Sequence, residues 1–173
     1  MGKAKRVLLA YKEDDMSYEI FRNLEGKWSI NRNIKGIGYG KGRASFTKST
    51  DDQNVLCYSE RLDLHLGENQ HYSNAHQEYK FIYDPERMCL EKYTSAESLM
   101  YRLEITGKKA RGLYLCSPDK YIATYDFIDD NLFTLTYFVS GPRKDYIIVT
   151  EFEKIEEDMQ DTSGASSNTV DVD

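Results

Sequence analysis

The sequence predicts an all-β protein, a single antiparallel up-and-down barrel of about ten strands with one short helix at its N-terminal end. Three observations carry this. After Gly26, short segments rich in Tyr, Phe, Ile, Val, Leu and Thr alternate with polar residues. The breaks between them are turn-formers: Lys35-Gly36, Thr50-Asp51-Asp52, Asp84-Pro85-Glu86, Gly107-Lys108-Lys109, Asp129-Asp130-Asn131 and Gly141-Pro142. No stretch long enough for a crossover helix, and with helical period, interrupts the run, which excludes parallel βαβ units.

The elements follow in order. Met16 to Leu24 is the helix: Met16, Ile20 and Leu24, with Phe21, fall on one face, and Asp14 or Asp15 can cap its start. The strands are expected at Lys27–Ile34, Gly42–Ser49, Asn54–Leu62, His76–Tyr83, Arg87–Tyr93, Leu99–Thr106, Arg111–Cys116, Lys120–Ile128, Leu132–Ser140 and Asp145–Lys154. Gly36 to Gly42 reads as a flexible hairpin at the barrel mouth, since it lacks the spacing and the following helix of a nucleotide-binding loop.

Period-2 alternation assigns faces. Trp28, Ile30, Arg32 and Ile34 share one face, as do Leu56, Tyr58, Glu60 and Leu62. Tyr79, Phe81 and Tyr83 share another, and so do Tyr121, Ala123, Tyr125 and Phe127. Gly42, Ala44 and Phe46 leave interior space or allow a bend. The interior therefore holds Arg32 and Glu60 among aliphatic and tyrosine side chains. A desolvated charge costs several kcal/mol unless paired, so these two are expected either to pair or to orient a ligand. Trp28, two residues after a glycine at strand entry, is expected to plug one barrel end, with Arg143 over its ring. The alternative for Arg143 is an anion site shared with Lys144 and the turn amides.

The chain has 173 residues, 40% hydrophobic and 30% charged, and a formal charge of −6. We expect an N-terminal extension over 1–15, the barrel over 16–155 and a disordered acidic tail over 156–173. The tail holds six acids and no Lys or Arg, which leaves the rest neutral. A neutral body has no basic stripe for nucleic acid. No apolar run approaches the ~20 residues of a membrane span, and Val7 to Ala10 is too short for a secretory core. Cys57, Cys89 and Cys116 are odd in number, form no CxxC pair and lie in strand-like segments, where a thiol behaves as a small buried hydrophobe. Together these features predict a cytoplasmic protein without disulfides.

Several motifs bear a resemblance. Leu24-x-Gly26-x-Trp28-x-x-x-Arg32-x-Ile34, Gly42-x-Ala44-x-Phe46 and Leu56-x-Tyr58-x-Glu60 are the first of these. Cys116-x-x-Asp119-x-Tyr121-x-x-x-Tyr125 and Gly141-Pro142-Arg143-Lys144-Asp145-Tyr146 follow. From about Leu24 to Lys154 the chain resembles the domain of unknown function 6314 family, DUF6314. Its Gly-x-Trp start is similar to that of the calycins, which include the lipocalins. The resemblance implies a lipocalin-like (calycin-like) barrel and brings no activity with it. It also implies that Arg32, Glu60, Asp119, Tyr121, Arg143, Lys144 and Asp145 form one related set. Where the family pattern carries a histidine two residues before the cysteine, this chain has Tyr114, so no imidazole role is carried over.

The expected function is non-catalytic binding of an amphipathic or acidic small molecule inside the barrel, its acid or hydroxyl group meeting Arg32. Candidate ligand-binding residues are Arg32, Glu60, Tyr58, Tyr79, Tyr121, Tyr125, Asp119 and Arg143. Two alternatives stand beside it. One is an enzyme of isomerase or hydrolase type, with Glu60, Asp119 and tyrosines as acid and base and Arg32 or Arg143 stabilising an anion. The other is a filled barrel presenting tyrosine-rich loops and the tail to a protein partner. No cofactor is expected, and no nucleic-acid or membrane partner. His65, His71 and His76 fall within twelve residues and His71 with His76 could hold a metal, but their stretch reads as a solvated loop, so no metal is assigned.

Overall fold

The computed structural model describes residues 15–69 and 71–157; within them one helix and eleven strands follow one another as a meander. The expected disordered tail, past its first two residues, lies outside the described residues, as does most of the N-terminal extension. Helix α1 (Met16–Leu24) starts at Asp15, whose carboxylate accepts the Ser17 amide at 3.0 Å. The other Asp15 oxygen accepts the buried Tyr83 hydroxyl, and the Ser17 hydroxyl lies 2.7 Å from the Met88 carbonyl. The cap thus fastens the helix to the barrel wall. Ile20, Phe21 and Leu24 turn inward with Ser17, whereas Met16, expected on that face, is exposed.

The strands are β1 (Gly26–Ile34), β2 (Gly38–Lys48), β3 (Val55–Leu66), β4 (His71–Asp84), β5 (Cys89–Thr94), β6 (Leu99–Arg102), β7 (Glu104–Thr106), β8 (Lys109–Cys116), β9 (Asp119–Asp129), β10 (Leu132–Ser140) and β11 (Asp145–Lys154). All pair antiparallel in one sheet, ordered β6-β5-β4-β3-β2-β1-β11-β10-β9-β8-β7. The all-β up-and-down barrel is therefore present, with one strand more than counted from the sequence. Leu99 to Thr106 was expected as one strand. It divides at the buried Leu103, its first part pairing with β5 and its second with β8. The two sheet edges are thus joined by a single residue, and the sheet curls into a nearly closed barrel. Across this seam the Tyr101 ring lies against Gly112, where any Cβ would run into it.

Residues 36–42 are mostly strand rather than a flexible hairpin: only 35–37 turn, and the rest pairs on both sides within β2. The glycines serve close approach, since a Cβ at Gly42 would collide with the Arg61 carbonyl. The β3–β4 hairpin is longer than expected, with β4 starting at His71 instead of His76. Of the three cysteines only Cys89 is buried; Cys57 points outward from β3 and Cys116 ends β8, both exposed. Lying in a strand does not bury a thiol when its side chain falls on the outward face.

The end beneath α1 is packed solid. Trp28 is 1% exposed and donates from Nε1 to the Leu24 carbonyl at 2.8 Å, so the plug also satisfies the helix terminus. Its ring meets Phe133 edge-on at 5.0 Å, and Phe133 stacks on Phe152 at 4.3 Å. The cation over Trp28 is Lys154, 5.0 Å from the ring centroid, which also donates to the Asn23 carbonyl at 2.7 Å. This corrects the expected Arg143 closure. Trp28 pairs with Lys154 at the far end of β11, whereas Arg143 precedes Asp145 at its start, ~30 Å away along the strand. Among the described residues, no helix is long and apolar enough to cross a membrane.

Candidate functional site

Above the aromatic floor of Phe46, Phe133 and Phe152 the barrel opens into a cavity of about 310 Å³. Its walls are mainly apolar and aromatic, with a few polar groups set among them. Arg32, Glu60, Tyr58, Tyr79, Tyr121 and Tyr125 all reach it, as the alternation implied. Asp119 and Arg143 do not line it.

The first polar group is an ion pair. Arg32 on β1 and Glu60 on β3 flank β2, whose inward side chains are glycines and alanine at their crossing, so the guanidinium can reach over. It donates twice to Glu60, at 2.8 and 2.9 Å, and through Nε to the Thr150 hydroxyl at 2.8 Å. The Tyr58 hydroxyl also donates to Glu60. The Arg32 charge is thus answered within the protein by a bidentate partner.

Burial alone would push the Glu60 carboxyl up, but the hydrogen bonds and charge of Arg32, with Tyr58, hold it below the usual carboxylate value. A depressed folded-state value means stability that is present above the unfolded pKa of about 4.5 and is lost as pH falls through the native one. In urea titrations from neutral pH to pH 3, the wild type is expected to lose stability more steeply than Glu60→Gln. Parallel curves would show that Glu60 does not carry this pH dependence.

The second polar group was not anticipated. Lys92 on β5 is 4% exposed, and its ammonium donates to the Tyr137 hydroxyl at 3.1 Å and sits 4.0 Å from the Tyr79 ring centroid. Tyr137, Tyr101 and Tyr125 are linked through their hydroxyls at 2.7 Å each, across the seam. Burial raises Tyr101 and Tyr125, and pushes Tyr79 up to about 12, so all three stay protonated at neutral pH. Tyr114 also lines the cavity, and Gln77, Thr150 and Tyr137, none singled out from the sequence, complete the polar lining.

The rim holds the third group. Lys144 pairs with Asp119 at 2.8 Å and donates to the Tyr121 hydroxyl at 3.1 Å. Gly141 lets the turn lie against Asp119, whose carboxylate occupies the space a Cβ would need. The set implied by the resemblance therefore divides: Arg32 with Glu60 inside, Asp119 with Lys144 and Tyr121 at the rim. Arg143 and Asp145 are exposed on the same turn and belong to neither.

The histidines lie on the long hairpin. His71 and His76 are five residues apart on β4, ~16 Å and on opposite faces, so they cannot share an ion. His65 instead stacks on Tyr39, with ring centroids 5.0 Å apart. Asp84, Cys89 and Glu91 bring potential metal-ligand atoms within 4.8 Å of one another, but Arg87 and Arg102 already meet the two carboxylates.

The fold is shared with a solved structure. The S-type phycobiliprotein lyase CPES from Guillardia theta is 9% identical, superposes with a TM-score of 0.64, and matches over 85% of this chain and 98% of its own. A redesigned β-barrel, mFAP1, solved bound to DFHBI, is also 9% identical, with a TM-score of 0.44 over 78% of this chain and 98% of its own. The likeness to the lyase concerns the barrel fold alone. No curated protein matches the chain in sequence. The family model for the "Family of unknown function (DUF6314)" matches residues 24–154, the whole barrel from the helix end to the last strand, and the chain belongs to that family.

Proposed function

We propose that this protein is a non-catalytic binder of small molecules, holding an amphipathic or acidic ligand in the barrel interior. The observation that carries the reading is the cavity itself, about 310 Å³, walled by aromatic rings with a few fixed polar groups. That size and lining are those of a small-ligand site. A cytoplasmic setting belongs to the same reading and is supported by three free thiols.

The carboxylates favour binding over catalysis. Glu60 is engaged by three donors and Asp119 by Lys144, so neither is poised to take a proton. The interaction-module reading has one observation of its own, an outward apolar row in which Leu113 pairs with Ile122, Ile122 with Phe138 and Phe138 with Ile147.

N-phenyl-1-naphthylamine, a neutral fluorophore that brightens in apolar surroundings, tests the proposal. Trp28 is the sole tryptophan and lies just under the cavity floor, so energy transfer from it reports a probe inside the barrel. Saturable one-site binding with transfer from Trp28, reversed by long-chain acids or alcohols, is the expected result. No saturable binding of the probe or of any competitor would overturn the proposal and leave the outward apolar row as the better guide.

A further inference from the structure

The cavity contains two cations and one anion. Glu60 answers Arg32 through two hydrogen bonds. Lys92 takes part in no ion pair among the described residues. Its ammonium, a three-donor group, makes one hydrogen bond, to Tyr137, and rests among the rings of Tyr79, Phe81, Tyr101 and Tyr137 at 4.0 to 5.8 Å. Ring faces and one hydroxyl do not replace the hydration of a buried ammonium. Glu60 acts on Lys92 only through space and is itself paired with Arg32, so two cations share one carboxylate beside open space.

We propose that Lys92 is the receiving group for an anionic ligand, so that the barrel selects flat aromatic or amphipathic monoanions, carboxylates or sulfonates, over their neutral counterparts. This rests on the small-molecule reading above and deepens it. The acid group would take the two free Lys92 donors, and the ligand body would lie along the aromatic walls. The sequence had assigned the acid to Arg32. The geometry moves it to Lys92, because Arg32 is already paired and donates to Thr150 as well. A single buried cation suits a single negative charge, whereas a dianion would bring an unmatched charge into the barrel.

The test compares two probes that share one aromatic skeleton: 8-anilinonaphthalene-1-sulfonate and N-phenyl-1-naphthylamine, which lacks the sulfonate. In the wild type the sulfonate is expected to bind at least about tenfold more tightly, the worth of a charged hydrogen bond in a dry site. The two should displace each other. In Lys92→Met that preference should vanish, with sulfonate affinity falling about tenfold or more and the neutral probe changing less than about threefold. Circular dichroism and a urea midpoint establish that the variant is folded. If it is not, the wild-type preference alone decides, helped by its weak dependence on salt, since a buried pair is poorly screened.

Equal affinity for the two probes in the wild type would overturn the assignment, as would equal losses for both in a folded Lys92→Met. Binding of the neutral probe would then keep the cavity reading intact. If neither probe binds the wild type, both the cavity reading and this assignment fall.

Discussion

Trp28→Ala is expected to cost the barrel about 3–5 kcal/mol, the range for removing a large buried aromatic. Three contacts are lost together. The Leu24 carbonyl loses its donor, the stacked Phe133–Phe152 pair loses its edge-on partner, and Lys154 loses the ring beneath it. The site cannot collapse easily, because α1 on one side and the phenylalanine floor on the other are held by other anchors, notably the Asp15–Tyr83 bond. Trp28→Phe should recover most of the loss, leaving mainly the orphaned carbonyl, about 1–3 kcal/mol. Urea midpoints at constant m-value read both. A loss below about 1 kcal/mol for the alanine variant would mean that the plug is not what holds this end together.

The second large effect is expected at Arg32. Arg32→Met leaves Glu60, 3% exposed, without its cation, and removing one partner of a buried pair typically costs 3–5 kcal/mol. The double variant Arg32→Met/Glu60→Leu should regain most of that, since an apolar replacement of both charges is often neutral. It is also the informative variant for function. If the stable double variant still takes N-phenyl-1-naphthylamine, the pair serves structure. If it is folded and binds nothing, Arg32 and Glu60 belong to the site as well. A double variant as unstable as the single would show that the pair contributes more than mutual neutralisation.

Most of the fold was legible because its signals are local. Alternation and turn residues mark each strand without reference to distant parts of the chain. Arg32 and Glu60 were found because each interrupts an otherwise apolar face. Lys92 was not, for a physical reason. In Cys89-Leu90-Glu91-Lys92-Tyr93 each face carries one charge, and both faces are buried, so alternation has no apolar side to pick out. The division at Leu103 was invisible because Leu99 to Thr106 reads as continuous strand, and only the closure of the sheet requires the break. Arg143 was misplaced because adjacency to Lys144 says nothing about which side chain turns toward Asp119. Distance along β11 then decides that Trp28 is out of its reach.

The single-residue join at Leu103 divides the protein into two covers of a book, β1 to β6 and β7 to β11, with Leu103 as the spine and the β1–β11 ladder as the opening edge. The spine forms between neighbours in sequence. The opening edge brings together strands from the two ends of the barrel, so the cylinder cannot be completed until the last strand has been made. The cavity is the space between the covers. Three of its polar contacts, Arg32 with Thr150, Lys92 with Tyr137 and Tyr101 with Tyr125, each run from one cover to the other. They are latches, and an anion held on the two free donors of Lys92 would leave all three fastened while filling the space between the covers.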